Sequence, residues 1–188
     1  MGVKSTVMLS NTLPVLTSVL PMLLLHVFAV QAQEIPALSH TLSPAVGSAP
    51  APDLKLPDLD DEIIDLATFR GQVVVINFWA TWCPPCRREM PALSRMAFAV
   101  SEDDVVTLTV NIGEDFETIF GFTGSLDMDA DFPFLLDTHA VTLKSWDIKG
   151  LPTTYIIDKD GRLAYRAVGG REFDHPKILE TPKSLASR

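Results

Sequence analysis

Two cysteines carry the most reactive chemistry in this 188-residue chain, and they lie three positions apart as Cys83-Pro-Pro-Cys86. Their setting matters as much as their spacing. A continuous apolar run, Val73 to Phe78, reads as a strand buried on both faces. A short Ala80-Thr81-Trp82 turn follows, then the cysteines, then a helical pattern. Two thiols at the start of a helix can close a strained small-ring disulfide. In the reduced form, the helix N-terminus stabilises a thiolate on the first of them. That is a redox device, and Cys-x-x-Cys beside a strand–helix–strand pattern is its signature. A zinc half-site or a plain structural disulfide would use the same residues. Zinc, however, needs about four ligands, and the chain has these two cysteines and four scattered histidines.

In the redox reading Cys83 is the nucleophile. It precedes the helix, is the more exposed sulfur, and feels the positive helix end. Such motifs lower a thiol from about 8.5 towards ~7, which gives thiolate at neutral pH without making it a feeble nucleophile. Cys86, one turn inside, is the resolving thiol. Pro84 and Pro85 have no N–H to offer the thiolate, although the Cys86 N–H remains available. A less stabilised thiolate makes a better reductant. Glu89 lies three residues after Cys86, so helical geometry puts the two on nearby faces. A half-buried carboxylate there would accept the Cys86 proton; the alternative is a solvated Glu beside Arg87 and Arg88. Trp82 covers the disulfide and offers apolar contact to substrates, whereas Trp79 belongs to the core. Arg87 and Arg88 are exposed helix charges with no specific role. His40, His139 and His175 lack ligand spacing and read as surface residues.

The elements that must position this pair follow from periodicity. The redox helix is predicted from about Pro84 to Val100, with Met90, Leu93, Ala97 and Val100 on one face and a kink at Pro91. Val105 to Ile112 is a second buried strand, joined by a right-handed parallel crossover. Before the central strand, Leu54 to Ile64 suggests a small hairpin, and Leu66 to Phe69 one helical turn. After it, Phe116 to Phe122 reads as a short helix. Phe132 to Leu136 reads as an edge segment. Thr138 to Trp146 reads as a helix with Val141, Leu143 and Trp146 inward. Thr153 to Asp158 and Arg162 to Val168 form a hairpin about an Asp-Gly turn. Pro176 to Ala186 is a weakly patterned final helix. Asp127, Asp129 and Asp131 alternate as calcium ligands do, but the Gly and closing Glu of that loop are missing, so they read as an acidic surface loop.

Residues 1–32 read as an export signal: Lys4, an apolar segment from Leu13 to Val30, then Val30-Gln-Ala32 as a cleavage site. Pro14, Thr17, Ser18, Pro21 and His26 interrupt the apolar stretch, which favours cleavage over a membrane anchor. Residues 33–52, with four prolines and no periodicity, read as a flexible linker, and residues 53–188 as the folded domain. Exported, the domain meets an oxidising compartment, where a dithiol stays reduced only if something feeds it electrons. The net charge of −9 argues against nucleic acid and anionic lipid as partners. A membrane contact follows only if the N-terminal segment is uncleaved, and a monomer is expected. No nicotinamide or flavin fingerprint is present, so no bound cofactor is expected.

The segment Asn77-Phe-Trp-Ala-Thr-Trp-Cys-Pro-Pro-Cys86 resembles the thioredoxin superfamily, and most of all its TlpA/ResA/CcmG branch of secreted or membrane-tethered thiol–disulfide oxidoreductases. The resemblance runs from about Pro52 to Gly170. It includes Asp65-Leu-Ala-Thr-Phe-Arg-Gly71, Glu89, Pro91 and Gly150-Leu-Pro-Thr-Thr-Tyr-Ile-Ile-Asp158. It implies an α/β thioredoxin fold, a mixed central sheet flanked by helices, here with an N-terminal β-hairpin extension. It implies a cis Leu151–Pro152 bond facing the disulfide, with the preceding backbone free to pair with an extended substrate. Thioredoxin has a buried Asp in the strand before its motif. Asn77 stands here and cannot ionise, while TlpA-like relatives carry an acid at the place of Glu89. The resemblance further implies a periplasmic location and oxidised protein substrates, such as apocytochrome c segments or copper-delivery proteins. Electrons would come from a transmembrane thiol donor.

Two rivals share related folds. A thiol peroxidase would need Pro-x-x-x-Thr-x-x-Cys, but Thr81 is two residues before Cys83 and no matching proline precedes it. A copper metallochaperone of this kind typically carries Cys-x-x-x-Cys and a distal His, and the spacing here is one shorter.

Overall fold

A computed structural model describes residues 40–126 and 132–188, with Gly2, and the fold lies within Pro36–Arg188. The proposed signal and the Asp127–Asp131 loop fall outside the described residues. In chain order the strands are β1 (Ser43–Pro44), β2 (Lys55–Pro57), β3 (Ile63–Asp65), β4 (Val73–Trp79), β5 (Val105–Ile112), β6 (Phe134–Asp137), β7 (Thr153–Ile157) and β8 (Leu163–Val168). The α-helices are α1 (Pro84–Val100), α2 (Phe116–Thr123), α3 (Thr142–Ser145) and α4 (Pro176–Ala186). Among the described residues, β2 and β3 make the expected small hairpin, and a six-stranded sheet runs in the order β1-β8-β7-β4-β5-β6. β4 pairs parallel with β5 and β5 with β6, while β7 pairs antiparallel with both β4 and β8. This is the mixed sheet that the thioredoxin resemblance implied.

The apolar run of β4 is central because both of its faces are covered. Strand alternation sends Val73, Val75 and Trp79 to the side of α1 and α4, where Met90, Leu93, Met96 and Ile178 pack. Val74, Ile76 and Phe78 go to the other side, against Leu108, Val110, Trp146 and Tyr155. Asn77 shares the α1 side by the same alternation, fully buried. A buried amide needs partners, and its partners turn out to define the site. α1 passes through Pro91 as one uninterrupted helix, so the expected kink is not seen as a break.

Three expectations are corrected. The linker was expected to extend to residue 52, but from Ser43 it joins the sheet. Ser43 and Pro44 pair with Arg166 and Tyr165, and Ala45, Ala49 and Ala51 exchange backbone hydrogen bonds with Ala164, Leu163 and Gly161. The physical reason is the edge of β8, whose unpaired backbone groups take a covering strand; prolines are tolerated on such an edge. The folded unit therefore begins before residue 53. The helix expected over Thr138 to Trp146 is confined to Thr142–Ser145, and Val141 is exposed. The Asp137 carboxylate sets that start by accepting the N–H groups of Val141 and Thr142 and the Thr142 hydroxyl. His175 is a buried residue, not a surface one: its Nδ1 accepts the Lys177 N–H at 3.2 Å and caps α4.

Candidate active site

The turn after β4 delivers Cys83 to the N-cap of α1, and Cys83 and Cys86 are joined by a disulfide with Cα atoms 5.3 Å apart. Pro84 and Pro85 occupy the first turn, where their missing N–H groups have no intrahelical partner to lose. The Cys86 N–H donates to Cys83 Sγ at 3.3 Å. Cys83 is only 3% exposed and Cys86 is fully buried. The expected ranking of the two sulfurs holds, but the window onto Cys83 is narrow. Trp82 beside it is 66% exposed, while Trp79 is buried and packs on Phe122 and Phe134. Arg87 is more specific than expected, with its guanidinium 5.7 Å from the Phe122 ring centroid.

Glu89 is buried, 3% exposed. Asn77 Nδ2 donates to its Oε1 at 2.8 Å and to Thr154 Oγ1 at 2.9 Å. The Arg171 backbone N–H donates to its Oε2 at 2.9 Å. Burial pushes the carboxyl up to about 7, against the hydrogen bonds from Asn77 and Arg171 and the Arg171 charge, which favour the ionised form. A carboxyl that exchanges its proton near neutral pH, on the same helix as Cys86, suits proton transfer during thiol chemistry.

Leu151–Pro152 is a cis peptide. Thr153, next in the chain, pairs with Phe78, so the turn lies at the end of the sheet from which β4 leads to the cysteines. The loop after β8 completes this end: the Gly169 N–H donates to the Pro152 carbonyl at 2.8 Å.

Sequence reasoning missed Glu114. Its carboxylate accepts the Thr81 N–H and the Asn111 amide, each at 2.7 Å, and the Thr81 hydroxyl. It thereby fixes the turn that carries Trp82 and Cys83. Trp79 pairs with Asn111, so the loops after these parallel strands are neighbours. An acid just past a parallel strand, at the end where such sheets build their sites, was the available signal. Thr154 was likewise missed, although its register opposite Asn77 gives the buried amide an acceptor.

Such an arrangement can exchange disulfides: a helix-capping cysteine with a narrow opening to solvent, a fully buried partner one turn on, and a buried carboxyl that titrates at about 7. Fold and dithiol together define a thioredoxin-fold thiol–disulfide oxidoreductase. The chain belongs to the AhpC/TSA family of the thioredoxin superfamily, whose profile matches residues 48–166. It is 38% identical over 119 residues to the thiol-disulfide oxidoreductase ResA of Geobacillus thermodenitrificans, covering 63% of this chain and 67% of that one. To ResA of Bacillus subtilis it is 33% identical over 119 residues, 63% of this chain and 65% of the relative. Among solved structures it is similar to the pneumococcal exposed lipoprotein thioredoxin Etrx1 of Streptococcus pneumoniae. There the TM-score is 0.61 and the identity 33%, over 71% of this chain and 99% of that one.

Proposed function

We propose that the chain is an exported, periplasmic disulfide reductase of oxidised envelope proteins. The Cys83 thiolate attacks a target disulfide, one target sulfur leaves and takes up a proton, and a mixed disulfide forms. Cys86 then loses its proton to Glu89 and attacks Cys83 Sγ, which releases the second target sulfur as a thiol. The target gains two electrons and two protons, and Cys83–Cys86 ends oxidised. A transmembrane thiol carrier returns it to the dithiol. Trp82 and the cis Leu151–Pro152 turn receive the extended substrate. Targets of the reading are apocytochrome c Cys-x-x-Cys-His segments or copper-delivery proteins, and the N-terminal signal supports the location.

The observation that carries the reducing direction is the poverty of donors at Cys83 Sγ. Pro84 and Pro85 have no N–H, and among the described residues the donor at Cys83 Sγ is the Cys86 N–H. A thiolate with few donors is held less firmly, so the reduced form gives up electrons more readily. A trapping experiment with an oxidised Cys-x-x-Cys-His peptide tests the roles. Cys86→Ser is expected to accumulate a mixed disulfide through Cys83, and Cys83→Ser to form none. Equal trapping by both variants would overturn the assignment of nucleophile.

A further inference from the structure

Glu89 is held by more than its own helix. The N–H on its Oε2 comes from Arg171, in the loop that follows β8. Gly169 opens that loop at φ +86°, a conformation L side chains rarely adopt. Gly170 passes so near the start of α1 that an added Cβ would meet the Pro85 carbonyl at 3.5 Å and Glu89 Oε2 at 3.6 Å. A loop with two glycines has little of its own to hold it. The Arg171 side chain supplies the hold by turning back over the same loop. Its Nη1 donates to the Gly169 and Gly170 carbonyls, each at 2.9 Å, and its Nε donates to the Thr41 carbonyl at 3.2 Å. One guanidinium thus joins three carbonyls from two segments. The second segment leads directly into β1, the stretch that the sequence presented as a spacer.

We propose that Arg171 is a positioning residue for the reaction. Its guanidinium clamps residues 169–171 to the Thr41 segment, so that the loop N–H stays on Glu89 Oε2 and holds the carboxylate in position. This rests on the proton relay assigned to Glu89. The rigid planar fork of arginine suits three carbonyls at once, and the single ammonium of lysine does not. The positive charge adds to the effect of the N–H, because both favour the ionised carboxyl. His40 beside the strap, Arg88 and Arg95 on α1, and Glu172 and Asp174 beyond the loop line the same groove of about 480 Å³.

The test is an infrared titration of the full chain in its oxidised form, with Glu89 identified as the carboxyl band lost in Glu89→Gln. In Arg171→Met the midpoint of that band is expected to rise by about one pH unit, the size of one charged hydrogen bond lost. Arg171→Lys, which keeps the charge and loses the fork, is expected to rise by less and serves if the Met variant does not fold. The pH profile of disulfide exchange should move with the band. An unmoved midpoint in the folded variants, even with an earlier melt, would overturn the proposal, because a merely structural residue lowers stability without shifting a titration. A midpoint that moves without the exchange profile would uphold the clamp on Glu89 and refute the relay.

Discussion

Replacing Glu89 with Gln removes a carboxyl that burial holds far from its ordinary range, and this should be visible in folding stability. The folded carboxyl titrates at about 7, against 4.5 for an ordinary Glu. Between those values the folded chain binds more protons than the unfolded chain, so stability falls as pH rises. Below the lower value Glu89 is protonated in both states and contributes no slope. Above the upper one it is ionised in both, and the loss is complete. The gap from 4.5 to about 7, at about 1.4 kcal/mol per pH unit, comes to about 3 kcal/mol. Gln keeps the shape and carries no charge. Asn77 Oδ1, which has no partner among the described residues, can accept from the Gln amide if the Asn77 amide turns over. The assay is urea unfolding of the oxidised wild-type and variant chains at intervals from about pH 4 to pH 8. Stability of the variant minus that of the wild type is expected to grow by about 3 kcal/mol across the range, since all other titrations cancel in the difference. A difference constant to about 0.5 kcal/mol would show that Glu89 is ionised normally, and the reasoning from burial would fail.

Two further substitutions separate the site from its scaffold. Glu114→Ala leaves the Thr81 turn without its carboxylate partner. Disulfide exchange is expected to slow severalfold, with a stability loss of about 2 kcal/mol; exchange at the wild-type rate would mean that the turn holds Cys83 unaided. Asp137→Ala removes three hydrogen bonds at the start of α3, so stability is expected to fall by about 2 kcal/mol with the rate of exchange unchanged. A slowed rate in that variant would place α3 in the catalytic machinery.

The parts that declared themselves in the sequence were those with strong local signals. The buried run of β4, the proline-started α1 and the Asp-Gly hairpin of β7 and β8 came from periodicity and turn chemistry within a few residues of each element. The short strand β1 did not, because two residues carry no alternation; the open edge of β8, a tertiary fact, decides it. α3 was overdrawn for a related reason, since Asp137 resets its start through its side chain. At the site, Cys83, Cys86 and Glu89 share one helix and could be read by counting. Glu114, Thr154 and Arg171 reach it from separate strands and loops. Only register, such as Asn77 opposite Thr154 and Trp79 opposite Asn111, brings them there.

The most direct test of the central claim is the reduction potential of Cys83–Cys86 in the full chain, equilibrated against dithiothreitol or glutathione. A value near that of thioredoxin, about −270 mV, is expected of a reductase whose thiolate has few donors. A value near that of strong disulfide donors, about −120 mV, would contradict the claim, and the inference from Pro84 and Pro85 would fall with it.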